Sequence, residues 1–343
     1  MRKRPVTGGS PHTREDALSE TGCAFSPLKT YDPKALPVPR RRVRVWDTYF
    51  IFSPRCALTL TVSNQGNVEA DSITLWDFDE KRVLSASRPA RLLAGRRILP
   101  QAPDEGMVRA EGKEYEITFR AEPHSRQLYG HMYDFRGADQ SLLFDLELRV
   151  PGADCVVSMT SFEGKADCFY FGQKLNCLPV NGRVIFNRAE YLFSPASSFA
   201  CLDRARCVLP RKCAWLTASA SGAVGGKTLG LSLAQGLGRD SANENALFWG
   251  GKAHQLGAVL FEPRIQAQGG DLLASMRVWD DEGRLDVRYE QLLQHRFKGG
   301  NALMRTTEIQ SMGYFSGFAA LESGDRVQFD HLTGCLRKIS AKG

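Results

Sequence analysis

The chain has 343 residues and a formal net charge of +7 at pH 7, and 43% of its residues are hydrophobic, 24% charged and 10% aromatic. This length suggests about two domains, and the composition is typical of a soluble globular protein with a large buried core. The same values exclude a disordered chain and a small scaffold held together by disulfides.

The excess positive charge lies in the first 44 residues, which carry ten basic and four acidic side chains. Residues 1–40 also contain six prolines and little apolar periodicity, so they are predicted to form an irregular basic leader. Its cluster Arg40–Arg42 with Arg44 could bind phosphate or the surface of an anionic membrane, or it could be a solvated approach to the first strand. We favour the solvated approach and expect the leader to be dispensable for folding.

The remainder of the chain is nearly neutral and has no basic stripe, so we predict no nucleic-acid partner. No apolar stretch follows the basic N-terminal residues, so a secretory signal is not expected. A transmembrane segment is not expected either, because the longest uncharged candidate, Ala214–Gly226, is too short to span a membrane. None of the nine cysteines forms a Cys-x-x-Cys pair, which favours free thiols over a zinc site. Together these features predict a cytoplasmic protein without a membrane span.

From Val43 onward apolar and polar residues alternate, which predicts half-buried strands. The alternation is clearest at residues 115–119 and 144–150, and further strands are predicted at 43–52, 57–63, 72–77, 183–193, 227–233, 272–279, 284–289 and 326–329. Helical patterns are scarce, and no repeat of the length of a propeller blade is present. The sequence therefore predicts an all-β protein built as a barrel or a sandwich.

Near the first strand, Trp46 and Thr48 alternate with Asp47 and Tyr49. An inward Asp47 beside Tyr49 could protonate an alkene or a carbonyl if burial raised its pKa. We favour the outward placement, in which Asp47 has no chemical role.

Asn181-Gly182 is predicted to be a two-residue hairpin turn, because both residues tolerate the positive φ angles of such turns. The resulting register places one lysine and two asparagines among apolar residues on one face: Lys174, Asn176, Leu178, Ile185 and Asn187. This face is either a polar spot inside a ligand cavity or the solvent side of a hairpin.

Gly250-Gly251 is predicted to be a second hairpin turn of the same kind. One face of this hairpin then carries Asn245, Leu247, Trp249, Lys252, His254 and Leu256, and Glu244 lies on the other face. Asn245 and His254 are diagonal neighbours that could reach one ligand group, so His254 is a candidate general acid or base. The alternative is a hydrogen-bonded structural histidine.

The glycine-rich segment 222–228 is not a phosphate-binding loop, because Ser221 stands where that motif requires glycine and a strand pattern follows. It is predicted to be a turn between strands. No metal-binding histidine pair, dinucleotide fingerprint or Ser/His/Asp order is present, so we expect no metal and no cofactor.

Five sequence blocks resemble the bacterial family called domain of unknown function 2804: VWDTY at 45–49, QKLNCLPVNG at 173–182, WLTASASG at 215–222, ENALFWGGKAHQL at 244–256 and QSMG at 310–313. The resemblance runs from about residue 26 to about residue 335. The sequence departs from the family pattern at Gln255 and at residues 203–206, so the resemblance implies no ligand contact at 203–206. A looser likeness links the family to the lipocalin-like, or calycin, group that includes carotenoid 1,2-hydratase. The resemblance implies two packed lipocalin-like barrels, each able to enclose an apolar ligand, with some relatives hydrating or cyclising isoprenoid or polyene substrates.

We therefore expect an all-β protein with two lipocalin-like antiparallel barrels packed together, at residues 41–163 and 164–343, behind the leader at 1–40. The favoured function is binding of an apolar small molecule, such as a lipid, isoprenoid or polyene, in a barrel cavity. The candidate ligand-binding residues are Trp46, Tyr49, Lys174, Asn176, Asn245 and Trp249. One alternative is an acid-assisted hydratase, isomerase or cyclase that uses Asp47 or His254 as proton donor, and another is an interaction scaffold whose barrels are filled with side chains.

Overall fold

The computed structural model describes residues 5, 7–12, 18–27, 29–32, 34, 36–66, 68–90, 99–152, 154–238, 242–264, 273–300 and 305–342. Over these residues the chain is all-β apart from one 3₁₀ turn at Arg40–Arg42, and its strands form two curled antiparallel sheets that pack together as two lipocalin-like barrels. No helix within this part of the chain is both long enough and apolar enough to cross a membrane.

The first sheet has thirteen strands within the described residues. They are β1 (Gly22–Ala24), β2 (Arg44–Phe52), β3 (Cys56–Asn64), β4 (Glu69–Asp77), β5 (Arg82–Ala90), β6 (Gly106–Gly112), β7 (Tyr115–Glu122), β8 (Ser125–Met132), β9 (Leu142–Arg149), β10 (Val156–Phe162), β11 (Lys165–Phe186), β12 (Ala189–Phe193) and β13 (Phe199–Val208). Their order in the main path is β5-β4-β3-β2-β13-β11-β9-β8-β7-β6. β1 and β10 extend the sheet beside the first half of β11, and β12 pairs with its second half.

The second sheet has nine strands in the described part of the chain, in the order β17-β16-β15-β14-β22-β21-β20-β19-β18. They are β14 (Lys212–Val224), β15 (Lys227–Gln235), β16 (Ala246–Trp249), β17 (Lys252–Gln255), β18 (Val259–Pro263), β19 (Ser275–Asp280), β20 (Leu285–Gly300), β21 (Arg305–Ala320) and β22 (Arg326–Lys342). The change of sheet falls between β13 and β14. The boundary expected at residue 163 lies inside the first sheet, between β10 and β11.

Each sheet wraps around its own side-chain core, because alternate residues of a strand point to opposite faces. The first barrel is filled by residues such as Leu60, Ile73 and Phe144, and the second by residues such as Leu231, Tyr289 and Phe315. The other face of β2–β4 packs against the second sheet, where Trp76 and Phe50 meet Met312. The strands between the barrels therefore carry one set of side chains for the core and another for the contact with the second sheet.

The hairpin predicted at Gly250-Gly251 is confirmed, with Leu247 opposite His254 and Trp249 opposite Lys252. The turn predicted within residues 222–228 is also confirmed, at Gly225-Gly226 between β14 and β15. The hairpin predicted at Asn181-Gly182 is wrong, because β11 continues through both residues to Phe186. Residue 272, where one predicted strand begins, lies outside the described residues.

The leader is tied to the first barrel, although its sequence predicted a dispensable segment. Strand β1 pairs with β10, and the His12 ring lies 4.9 Å from that of Phe169 in an edge contact. Tyr31 is 3% exposed, and the buried Lys29 ammonium lies 2.7 Å from the Glu20 carboxylate. These contacts give the leader a structural role. The predicted leader also includes residues 1–4, 6, 13–17, 28, 33 and 35, which lie outside the described residues.

Deletion of residues 1–38 is expected to lower the free energy of unfolding by about 2–3 kcal/mol, since full burial of one large apolar side chain already contributes about 1.5–3 kcal/mol. Urea denaturation of the deleted and full chains measures the difference. Removal of residues 1–4 alone is the control, because it keeps every described contact of the leader. A deleted chain as stable as the full chain would restore the original expectation.

Candidate functional site

A cavity of about 250 Å³ lies between the two sheets. Its first wall comes from the outer face of β2–β5 and its second wall from β14 and β20–β22. Its lining residues lie outside the buried cores of both barrels, so this space lies between the barrels and not inside either of them. Residues that are far apart in the sequence meet here because the second sheet packs onto the first.

A row of hydroxyl groups crosses the first wall. Thr48, Thr61, Ser72 and Ser87 face one another in register on four adjacent strands, and all four line the cavity. The Thr48 and Thr61 hydroxyl oxygens are 3.0 Å apart. The residues next to them in the sequence, such as Leu60 and Ile73, point into the core of the first barrel. Because successive side chains of a strand point to opposite faces, the hydroxyl row faces the second sheet. The row offers donors and acceptors along one side of the cavity.

The opposite wall carries a guanidinium group and a carboxylate. Arg337 on β22 donates from Nε to Oε1 of Glu308 on β21 over 2.7 Å, and Gln310 Nε2 donates to the same oxygen over 2.8 Å. All three residues line the cavity. Apolar surface is supplied by Trp46, Leu209, Trp215, Phe297 and Ile339. The cavity is thus part polar and part apolar, as small-molecule sites commonly are.

A buried ionic network lies behind the cavity and joins the two barrels, with Asp203 and Lys174 on the first sheet and Arg337 on the second. Asp203 on β13 accepts from Arg337 Nη1 over 2.7 Å, from Lys174 Nζ over 2.5 Å and from the Trp46 indole over 3.2 Å. Lys174 also lies 3.2 Å from Glu244 Oε1, and the Tyr170 hydroxyl donates to Glu244 Oε2 over 3.0 Å. Lys174, Asp203 and Glu244 are all at most 5% exposed. Each charge is therefore held by partners instead of water.

The network sets the protonation of its two buried carboxyls in opposite directions. Burial acts to raise the pKa of Asp203, but the charges of Lys174 and Arg337 outweigh it and hold this pKa below its usual value. Burial raises the pKa of Glu244, which Lys174 opposes and the nearby Asp203 charge reinforces, and the net shift is upward. Asp203 is thus the firmly ionised partner of both cations.

Trp46 and Lys174, predicted as ligand-binding residues, lie at this site. Trp46 lines the cavity, and Lys174 lies behind it in the ionic network. Asn176 lies between the barrels, where its Nδ2 donates to the Leu231 carbonyl over 3.0 Å. Its side chain is 2% exposed and connects β11 with β15.

Asp47 and Tyr49 face the interior of the first barrel and do not line the cavity. The outward placement favoured for Asp47 is wrong, because the residue is 6% exposed and its Oδ1 lies 2.8 Å from Arg206 Nη1. The Tyr49 ring packs 4.9 Å from that of Phe119, and burial raises its pKa to about 12. An arginine partner thus allows the charged Asp47 to be buried.

Asn245, Trp249 and His254 lie in the second barrel, away from the cavity lining. Asn245 is part of the local framework, since it accepts from the Ala234 amide over 2.6 Å and donates to the Gly257 carbonyl over 3.0 Å. His254 is half-buried, its Nδ1 has no hydrogen-bond partner among the described residues, and burial lowers its pKa.

Sequence reasoning missed Asp203, Glu244, Glu308, Gln310 and Arg337. A signal was present for Asp203, because it stands with Arg204 and Arg206 among the apolar residues of β13, a strand that is buried at every position. Glu308 and Arg337 are polar residues in long alternating strands, where a solvent face and a cavity face give the same pattern. Within the described residues, no group of three or more His, Cys, Asp or Glu side chains could hold a metal ion.

A family model described as "Domain of unknown function (DUF2804)" matches residues 10–342. Curated proteins give no significant match. Three solved structures are similar at low identity. A putative AttH from Nitrosomonas europaea is 12% identical, with a TM-score of 0.48 over 87% of this chain and 92% of that chain. CghA with Sch210972 is 11% identical, with a TM-score of 0.48 over 97% of each chain. Kievitone hydratase from Nectria haematococca is 10% identical, with a TM-score of 0.45 over 96% and 98%.

Proposed function

Because the chain belongs to the family of domain of unknown function 2804, whose description assigns no activity, we propose a function from the site itself: the protein binds a small molecule in the cavity between its two barrels. The observation that carries this proposal is a cavity of about 250 Å³ that combines a hydroxyl row, the Arg337–Glu308 pair and aromatic surface. Convergent polar groups in an apolar pocket are the usual form of a ligand site.

The composition of the two walls indicates the class of ligand. Trp46, Trp215 and Phe297 offer flat apolar surface, which suits the ring or polyene body of an isoprenoid-like compound. The row from Thr48 to Ser87 adds hydrogen-bonding partners along one edge, so the ligand carries oxygen atoms on that edge. We thus retain the apolar class predicted from the sequence for the body of the ligand and add a polar edge. The barrel interiors are not the proposed site of this ligand, because the residues that line the cavity lie outside the two barrel cores.

The first test is native mass spectrometry of the protein purified from its own host, followed by identification of any released compound. A bound compound with an apolar body and an oxygenated edge is the expected result. A clean apo mass, together with no binding to a panel of isoprenoid alcohols and fatty acids, would contradict the proposal.

Substitution in the cavity gives the second test. Ser87→Leu should weaken binding of that compound by about tenfold or more, a change of about 1.4 kcal/mol, because the larger side chain fills the cavity beside Ser72 and removes a hydroxyl. Ser85→Leu is the matched control, since Ser85 is half-buried on the same face of β5 and does not line the cavity. Equal effects of the two variants in isothermal titration calorimetry would argue against the cavity as the binding site.

An acid-assisted hydratase, isomerase or cyclase is the second candidate, and one observation favours it. The carboxyl group of Glu308 lines the cavity next to a buried ionic network, so it could exchange a proton with a bound alkene or carbonyl. Asp47 and His254, the donors proposed from the sequence, do not line this space. Glu308→Gln would then abolish turnover and retain binding, whereas a pure carrier would show no turnover in either form.

A further inference from the structure

Three arginines are buried together on the inner face of the first barrel, away from the cavity. Arg204 and Arg206 lie on β13 and Arg126 lies on β8, and each is 1% exposed. Arg204 is paired in register with Asp47, one residue from the Asp203–Thr48 pair that faces the second sheet. Strand alternation thus separates this arginine cluster from the ionic network behind the cavity.

The cluster holds more positive than negative charge. Among the described residues, only Asp47 forms ion pairs with these arginines, with its Oδ1 2.8 Å from Arg206 Nη1 and 3.6 Å from Arg204 Nε. Backbone carbonyl oxygens accept hydrogen bonds from some of the remaining guanidinium N–H groups. Arg126 Nη2 donates to Pro103 over 2.7 Å, Arg204 Nη2 to Pro100, and Arg206 Nη1 to Trp46 over 3.0 Å. Carbonyls supply partial charge, and the exposed Asp104 acts on Arg204 without forming an ion pair, so about two positive charges have no paired carboxylate among the described residues.

Several guanidinium donors in the cluster have no hydrogen-bond partner among the described residues. They are Nε of Arg126, Nε and Nη1 of Arg204, and Nε of Arg206. Buried donors without a partner are strongly unfavourable, and more so when they belong to charged groups. Burial and the neighbouring Arg206 charge also lower the pKa of Arg204 to about 9. The cluster therefore has fewer negative charges and fewer hydrogen-bond acceptors than its three guanidinium groups require.

We propose that this arginine cluster binds a small oxyanion, a phosphate or carboxylate group, inside the end of the first barrel. An oxyanion supplies both missing features at once, because its oxygens accept the fork-like donors of guanidinium groups in pairs. The carbonyls of Pro100 and Pro103 hold two of the arginine heads in place for this contact. The inference is independent of the cavity between the barrels, so either can fail alone.

The test uses the full chain, purified without phosphate, and begins with the ions released on denaturation. Thermal unfolding is then followed in phosphate, in acetate and in chloride at equal ionic strength. Either a stoichiometric released anion or a midpoint raised specifically by phosphate or by acetate is expected, and the effective salt identifies the oxyanion class. No released anion and equal midpoints in the three salts would overturn the proposal.

Two variants with opposite expected effects on anion affinity test whether the anion binds at the arginine cluster. Arg204→Met should weaken anion binding by about tenfold or more, because one fork of donors and one charge are lost. Asp47→Asn should tighten it, since the carboxylate that competes for the same arginines is gone. Arg183→Met, an exposed arginine on β11, is the control and should leave anion affinity unchanged.

The same anion affinity in Arg204→Met and the wild type would show that the ion binds elsewhere. If Arg204→Met fails to fold, Asp47→Asn still decides the matter, because weaker or unchanged anion binding in that variant contradicts the proposed competition.

Discussion

Replacement of Lys174 with methionine is expected to lower the free energy of unfolding by about 3–5 kcal/mol, the usual effect of removing one partner from a buried ion pair. Lys174 is the shared cation of Asp203 and Glu244, and the change leaves Glu244 without an ion-pair partner in the described structure. The length of the side chain is nearly kept, so the loss reports on charge. Guanidinium chloride denaturation measures it.

Arg183→Met on the same strand is the matched control. Its ion pair with Glu190 is about half exposed on both sides, so the expected loss is at most about 1 kcal/mol. Adding Glu244→Gln to Lys174→Met should recover part of the stability, because it removes the carboxylate that lost its partner. Equal losses in Lys174→Met and Arg183→Met would show that the buried network contributes little.

The loss of free energy of unfolding caused by Lys174→Met should also depend on pH. The pKa of Asp203 lies below its usual value, so its ionised form contributes stability above the unfolded pKa of about 3.9, and this contribution is lost as the pH falls. The variant lacks much of that contribution at neutral pH. The difference between wild type and variant should therefore shrink below about pH 4, and a constant difference across this range would contradict the assignment.

Gly182→Ala is expected to lower the free energy of unfolding by about 3 kcal/mol, which is large for the addition of one methyl group. Gly182 has a φ of +132°, and a Cβ there would lie 2.2 Å from the backbone carbonyl oxygen of Asp145 on β9. Relief of this clash requires movement of a paired strand, in addition to about 1–3 kcal/mol of backbone strain.

Gly164→Ala separates the two contributions, because Gly164 also has a positive φ, +65°, but nothing lies within 4 Å of its added Cβ. Its expected loss is about 1 kcal/mol, from conformational strain alone. Thermal unfolding of both variants provides the comparison. If Gly182→Ala is no worse than Gly164→Ala, the close approach to Asp145 is not a constraint on folding.

Gly182 also shows where local sequence reasoning fails. Asn-Gly is a strong hairpin signal, yet here the glycine is required inside a strand because a neighbouring backbone comes close. The same local rule succeeds at Gly250-Gly251, where only the Lys227 side chain, and no neighbouring backbone, lies within 4 Å of a Cβ added at Gly250. The alternating pattern identified the fold class, since both barrels depend on a periodicity that each strand displays by itself.

The candidate site could be predicted only in part. Trp46 and Lys174 were found because they are polar or aromatic residues within apolar strands. Arg337 and Glu308 are more than 100 residues away from both in the sequence, and they reach the site only because the second sheet packs onto the first. The alternating sequence pattern shows that a strand has two different faces. Whether a face contacts water, the core or the cavity depends on tertiary packing, which the local sequence does not contain.

The two-sided character of β2–β5 has a consequence for divergence within the family. The residues of these strands that pack the core and those that line the cavity interleave along the chain and point to opposite faces of the sheet. If the cavity binds a ligand as proposed, substitutions at Thr61 or Ser72 act on its lining, while Leu60 and Ile73 keep the barrel core packed. Selection on the proposed ligand and selection on stability would therefore act on different side chains of the same strands.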